Sequence, residues 1–386
     1  YKRITLDDVV RLGTFSPQSV DELKSMRSGE SYTTLLYGSQ IVQYSYSTGE
    51  VERVVFNLEE TPIGDVSSIS GYSFSPDESL ILIETGRESI YRYSYEANFY
   101  IYNIESKEIS PLSGSVKQRL ATFSPDGSRV AFVRDNNIYI KSILTGQEER
   151  ITHDGEFNSI INGAADWVYE EEFALKKGFL WSPDGNRLAY YRFDETHVKQ
   201  LHMPLYYGML YPYIYSFKYP KAGERNALVT IHVFDFTTNT VIDIDIGEET
   251  DQYIPRIKWT ANPDELAIIR MNRLQNHLEV IVANVKSGLT RLLYTETNRF
   301  FVEPPDDYYP TFTPDGERFI ITSERDGWNH LYLYGMDGNL VRQLTKGENE
   351  VTSFYGMDAK GRRLFYQAVD GNPTQRAVFS VDYRGR

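Results

Sequence analysis

The sequence predicts an all-β protein built as a β-propeller, with one short helix ahead of the repeats. Three observations predict it. A turn motif, a small polar residue followed by Pro-Asp-Gly, recurs along the chain. Its copies fall about 45 to 60 residues apart, the length of a four-stranded propeller blade. The composition also suits strands, with 30 Tyr and 20 Phe inside an apolar fraction of 41%.

The helix comes first. Thr5-Leu-Asp-Asp8 has the pattern of a capping box and predicts a helix running through Leu12. The repeats then begin. Clear copies of the turn are Phe74-Ser-Pro-Asp-Glu78, Phe123-Ser-Pro-Asp-Gly127, Trp181-Ser-Pro-Asp-Gly185 and Phe312-Thr-Pro-Asp-Gly316. Degenerate copies stand at Trp259-Thr-Ala-Asn-Pro-Asp264 and Asp358-Ala-Lys-Gly361, and a faint one at Met26-Arg-Ser-Gly29. In each full copy Pro presets φ, Asp bonds the local backbone, and Gly accepts a positive φ. An alternating strand follows, such as Arg129-Val-Ala-Phe-Val133 or Arg318-Phe-Ile-Ile-Thr322. A second strand comes next (Asn137-Ile-Tyr-Ile140, His330-Leu-Tyr-Leu-Tyr334). Hairpin turns then follow at Ser47-Thr-Gly49, Thr145-Gly-Gln147 and Asp337-Gly-Asn339.

Seven turns imply about seven blades, with an eighth falling beyond Arg386 if the ring has eight. The division expected is a helical segment over residues 1–13 and a propeller over 14–386, incomplete at its C-terminal end. One interval between turns stretches to roughly 80 residues. It holds an inserted arm over about residues 199–221, whose tyrosines include Tyr206, Tyr207, Tyr211 and Tyr213. Aromatic residues on a solvent-facing extension point to a contact surface.

Bulk properties exclude several classes. A net charge of −14 argues against nucleic-acid or anionic-membrane binding. No run of 18 apolar residues exists, so no membrane span is expected. The chain has no cysteine, which removes disulfides, thiolate nucleophiles and thiolate metal sites. The six histidines lack metal-ligand spacing, and neither an EF-hand nor a Gly-rich phosphate loop occurs, so no cofactor is expected.

One stretch stands apart: Gly163-Ala-Ala-Asp-Trp-Val-Tyr-Glu-Glu-Glu-Phe173. Three consecutive carboxylates repel one another and call for water, a cation or a cationic ligand. This octet, Asp166-Trp-Val-Tyr-Glu-Glu-Glu-Phe173, occurs with Trp181-Ser-Pro-Asp-Gly185 and Tyr219-Pro-Lys-Ala-Gly223. Together they resemble the β-propeller domain of the dipeptidyl peptidase IV family of serine exopeptidases. The resemblance runs from the Thr5–Leu12 helix through Ser323-Glu-Arg-Asp-Gly-Trp-Asn-His-Leu-Tyr332.

The resemblance implies an eight-bladed propeller followed by a C-terminal α/β-hydrolase domain. No Gly-x-Ser-x-Gly nucleophile elbow occurs in these residues, so the last blade and the hydrolase domain are expected to lie outside them. It further implies that Glu171 and Glu172 hold the free α-ammonium of a peptide, and that Arg92 contacts a substrate carbonyl. Glu170 is expected to face elsewhere, as a surface or structural carboxylate. The implied substrates are peptides with a free N-terminus and penultimate Pro or Ala. The arm implies a homodimer made jointly with the hydrolase domain. The absence of cysteine resembles bacterial members, which implies a periplasmic or cell-envelope location. The alternative function is a non-catalytic propeller that binds peptides or proteins. A tripeptidyl or acylaminoacyl relative would place the ammonium-binding carboxylates differently.

Overall fold

The structure, a computed structural model, describes residues 3–17, 20, 22–114, 116–358 and 362–386. Helix α1 (Leu6–Val10) opens the chain with the expected capping box: the Asp8 amide donates to Thr5 Oγ1, and the Thr5 amide to Asp8 Oδ2. The Thr5 hydroxyl, which donates to Asp8 Oδ2 at 2.6 Å, and then the Thr5 amide hold the Asp8 carboxyl below its ordinary range. The helix stops before Leu12. The amides of Arg11 and Leu12 both close on the Asp7 carbonyl, and Gly13 turns the chain at φ 57°.

Seven antiparallel sheets then follow in chain order, over residues 24–57, 69–111, 119–150, 160–243, 252–297, 311–343 and 351–382. Among the described residues five are four-stranded, the fourth has five strands and the seventh has three. Neighbours in sequence are neighbours in each four-stranded sheet, which is the up-and-down order of a propeller blade. The fold is a β-propeller with seven blades among the described residues, numbered 1 to 7 below. By internal packing the chain divides into two units, Tyr1–Arg87 with Ala97–Lys117, and Glu88–Glu96 with Gln118–Arg386.

The recurrent turn works as a local hydrogen-bond knot. In blade 3 the Ser124 hydroxyl donates to Asp126, while its oxygen accepts the Arg129 amide at 3.0 Å. Gly127, at φ 71°, donates its amide to the Ser124 carbonyl. The same three contacts recur at Ser75, Ser182 and Thr313, with the amides of Leu80, Arg187 and Arg318 as the five-residue partners. Each hydroxyl thus satisfies an amide that the strand ladder leaves unpaired. The faint copy at Met26 keeps the backbone bond from Gly29 to Met26. In the degenerate copy at Asp358–Gly361 the last three residues lie outside the described ones.

Strand alternation builds the core. In the first unit Ile41, Phe56, Ile81 and Tyr102 pack together at 3% exposure or less. In the second, the largest cluster joins blades 3, 4 and 5. Blade 4 carries two insertions. Helix α2 (Trp167–Phe173) lies between strands Ile160–Asn162 and Phe179–Trp181, and an antiparallel hairpin of Gln200–Leu205 with Tyr213–Lys218 lies between Arg187–Asp194 and Leu228–Asp235.

The root of the α2 insertion is fixed by close backbone approach. Gly178 donates to the Gly163 carbonyl, Gly163 to Tyr191, and Tyr191 to Gly178. A Cβ on Gly178 would sit 2.7 Å from the Gly163 carbonyl carbon, and one on Gly163 would sit 2.6 Å from Ile138 Cγ1. Only glycine permits that approach.

Candidate functional site

The candidate site lies wholly in the second unit and is organised by α2. Asp166 is its N-cap, and Oδ1 accepts the Tyr169 amide at 2.8 Å. The apolar face, Val168, Tyr169 and Phe173, is buried in the largest core cluster. Full burial of a ring as large as Tyr169 is worth roughly 2–3 kcal/mol. Its hydroxyl also accepts the amide of Ile254 in blade 5 at 2.8 Å. At the other end Ala174 takes the left-handed conformation, and Arg256 donates to the Phe173 carbonyl at 2.8 Å. The helix is therefore anchored at both ends and along one face.

Its three glutamates meet three different environments. Glu170, 1% exposed, turns inward. Its Oε1 accepts the amides of Tyr93 and Ser94 at 2.6 and 2.7 Å. Of the two readings open for Glu170, surface or structural, it is the structural one: a clasp on the loop that carries Arg92. Arg119 adds positive charge beside Glu170, and its Nε has no hydrogen-bond partner.

Glu171 meets Arg92 in a bidentate pair. Arg92 Nε lies 3.0 and 2.9 Å from the two carboxylate oxygens, and Nη2 lies 2.6 Å from Oε1. Hydrogen bonding from Arg92 holds the Glu171 carboxyl below its ordinary range, and Glu171 raises the guanidinium in turn. Glu172 is exposed and has no hydrogen-bond or ion-pair partner among the described residues. It lines a cavity with Trp167, Tyr219, Lys221, Tyr253 and Arg273. No basic residue stands in the last turn of α2. Arg92, Glu171 and Glu172 together leave one negative charge at the helix end.

The loop presenting Arg92 is ordered by its neighbours. Tyr91 packs on Phe217, and Phe217 lies near Trp167 of α2. Tyr219 packs on Trp167 with ring centroids 4.1 Å apart and planes tilted by 41°. The base of the arm therefore packs against the helix. At its tip Tyr206, Tyr207, Tyr211 and Tyr213 are 56 to 80% exposed, as the sequence implies for an extension.

Sequence reasoning missed the carboxyls beneath the helix. Asp166 and Glu195 are each 5% exposed, and the Asp166 charge opposes ionisation of Glu195. Burial pushes Asp166 up to about 7 and Glu195 to about 8, with the neighbouring acid adding to the burial effect at Glu195. Asp166 could have been found as the Asp directly ahead of the helical run; Glu195 carries no comparable signal.

Among the described residues no group of three or more His, Cys, Asp or Glu could hold a metal, and no helix is long and apolar enough to cross a membrane.

Comparison with known proteins connects this geometry to a family. The family model described as the dipeptidyl peptidase IV N-terminal region matches residues 75–386. The dipeptidyl peptidase 4 of Trichophyton rubrum is 31% identical over 400 residues, which cover 99% of this chain and 50% of that protein. That of Trichophyton tonsurans matches to the same extent. The chain spans about half the length of these curated relatives. The crystal structure of Porphyromonas gingivalis dipeptidyl peptidase 4 is 39% identical and superposes with a TM-score of 0.93, covering 100% of this chain and 55% of that one. On the family match and this structural similarity, the chain belongs to the dipeptidyl peptidase IV N-terminal region family.

Proposed function

We propose that this chain is the substrate-recognition and gating domain of a serine dipeptidyl aminopeptidase that releases N-terminal X-Pro or X-Ala dipeptides. The observation that carries the reading is the unpartnered Glu172 next to the Arg92-held Glu171 at the C-terminal end of α2. A peptide α-ammonium brings one charge and three donors, which matches the single uncompensated charge there. Glu172 would accept directly. Glu171 retains acceptor capacity, because each carboxylate oxygen has two lone pairs. Arg92 Nη1 has no hydrogen bond among the described residues and is available to a substrate carbonyl. Holding the amine at one end of the site would count off two residues before the scissile bond. The nucleophile would come from a hydrolase domain outside these residues.

The test uses the full-length protein and a Gly-Pro or Ala-Pro chromogenic amide, with a free or an acetylated N-terminus. Cleavage of the free amine alone is expected. Glu171→Gln and Glu172→Gln should each lower kcat/KM by roughly tenfold or more, the worth of one charge-assisted hydrogen bond. Equal cleavage of both substrates would remove the glutamates from recognition. Cleavage of neither would favour a peptide-binding module.

We also propose that the arm contributes to a homodimer. Its tip exposes Tyr206, Tyr207, Met209, Leu210 and Tyr211 on one hairpin, an apolar surface suited to a partner. A Tyr207→Ser, Leu210→Ser, Tyr211→Ser variant of the full-length protein should sediment as a monomer where the parent is a dimer. An unchanged sedimentation coefficient would exclude the arm.

A further inference from the structure

A second cavity, of about 300 Å³, opens at blades 5, 6 and 7 and takes no part in the site around α2. Its walls combine apolar surface from Val302, Phe301 and Phe354 with the carboxylates Glu303 and Glu324. Neither carboxylate has a hydrogen-bond or ion-pair partner among the described residues. They are close enough to interact. Burial first, and the Glu324 charge second, hold the Glu303 carboxyl above its ordinary range.

The nearby cation is already engaged. Arg325 donates to Ser323 Oγ and to the hydroxyls of Tyr294 and Tyr334, and lies 3.7 Å from Glu296. Glu296 in turn accepts from Tyr294 and Ser323. That network leaves Glu303 and Glu324 uncompensated.

We infer that this cavity is a binding site for the basic side chain of a peptide, lysine or arginine. A lysine or arginine has an apolar stem for the Phe301, Val302 and Phe354 walls and a charged head for Glu303 and Glu324. A divalent metal fits less well, since such an ion takes about six oxygen ligands and no cluster of three ligating residues occurs among the described ones. The inference is independent of the ammonium-binding reading of Glu171 and Glu172.

The probe is Nα-acetyl-lysine methylamide, whose α-amine is blocked, compared with Nα-acetyl-norleucine methylamide, titrated calorimetrically into the full-length protein. The lysine probe should bind at least about tenfold more tightly, the worth of a charge-assisted hydrogen bond. Glu303→Gln with Glu324→Gln should abolish that difference while melting like the parent, because both residues are exposed. Glu171→Gln and Glu172→Gln should leave it intact. Equal binding of the two probes, no saturable binding of the lysine probe, or retention of the preference in the Glu303, Glu324 double variant would each overturn the inference.

Discussion

Glu170→Ala is expected to destabilise the second unit by about 3–6 kcal/mol, the sum of two hydrogen bonds to a charged acceptor. It is the largest single-residue effect the site should show. Both bonds come from consecutive amides, Tyr93 and Ser94, and both end on one oxygen of a carboxylate that is 1% exposed. The substitution leaves two amides facing a void and removes the charge beside Arg119. The damage should be local in the first instance. Residues 88–96 would lose their tether, and Arg92 with them, although Arg92 itself is unaltered. Hydrogen exchange should therefore accelerate in this loop more than elsewhere, and melting should move to lower temperature. Glu170→Gln keeps an acceptor oxygen and should recover part of the protection. Unchanged exchange at Tyr93 and Ser94 in the alanine variant would refute the clasp.

This places the three glutamates in separate roles that their adjacency conceals. On a helix, successive residues point about 100° apart, so a run of three must face three directions. Glu170 stabilises the loop, Glu171 orients the arginine that the loop carries, and Glu172 is exposed with no partner among the described residues. A single acidic triplet thus couples the position of Arg92 to the helix that bears its partner.

What was legible in the sequence follows from how local each feature is. The turn knots need only residues within five positions of one another, so the motif announced them and with them the blade count. The capping box of α1 is equally local, and its identity was readable, though its end was not. The predicted run to Leu12 stops short because the amides of Arg11 and Leu12 both close on the Asp7 carbonyl and Gly13 turns the chain. For Glu170 a surface or structural carboxylate was legible, burial being only one of the two. Its partners were not. The amides of Tyr93 and Ser94 lie more than 70 residues away, and backbone groups leave no mark in a sequence. The Arg92–Glu171 pair came only through the family resemblance, because nothing in Ile90-Tyr-Arg-Tyr-Ser-Tyr95 separates a site arginine from a surface one. Glu195 illustrates the limit: a carboxyl that follows a strand looks solvated until the fold buries it beside Asp166.

That buried pair should make stability fall on the alkaline side. Desolvation disfavours the ionised form of both groups, raising Asp166 from 3.8 to about 7 and Glu195 from 4.5 to about 8. A folded-state pKa above the unfolded value means that the native protein binds the proton more tightly. The stability so gained is fully present below about pH 4 and is lost as pH rises through about 7 to 8. For Asp166 alone the loss is on the order of 4 kcal/mol at high pH. The groups facing the pair do not cancel this. Lys218 favours the ionised form of Glu195, whereas Asp194 and Asp166 oppose it, and Glu170 opposes ionisation of Asp166. The turn carboxylates work in the other direction. Asp77, Asp126, Asp184 and Asp315 are held below their ordinary range, so their contribution is present above about pH 4 and fades in acid. The melting temperature should therefore peak near pH 5 to 6 and decline toward pH 9. Asp166→Asn preserves the N-cap, since an amide oxygen can still accept the Tyr169 amide, and Glu195→Gln preserves shape. Both variants should flatten the alkaline limb and leave the acid limb unchanged. Calorimetric melts from pH 4 to 9 decide it, and alkaline slopes equal to the parent's in both variants would mean that the pair does not bind protons more tightly in the folded state.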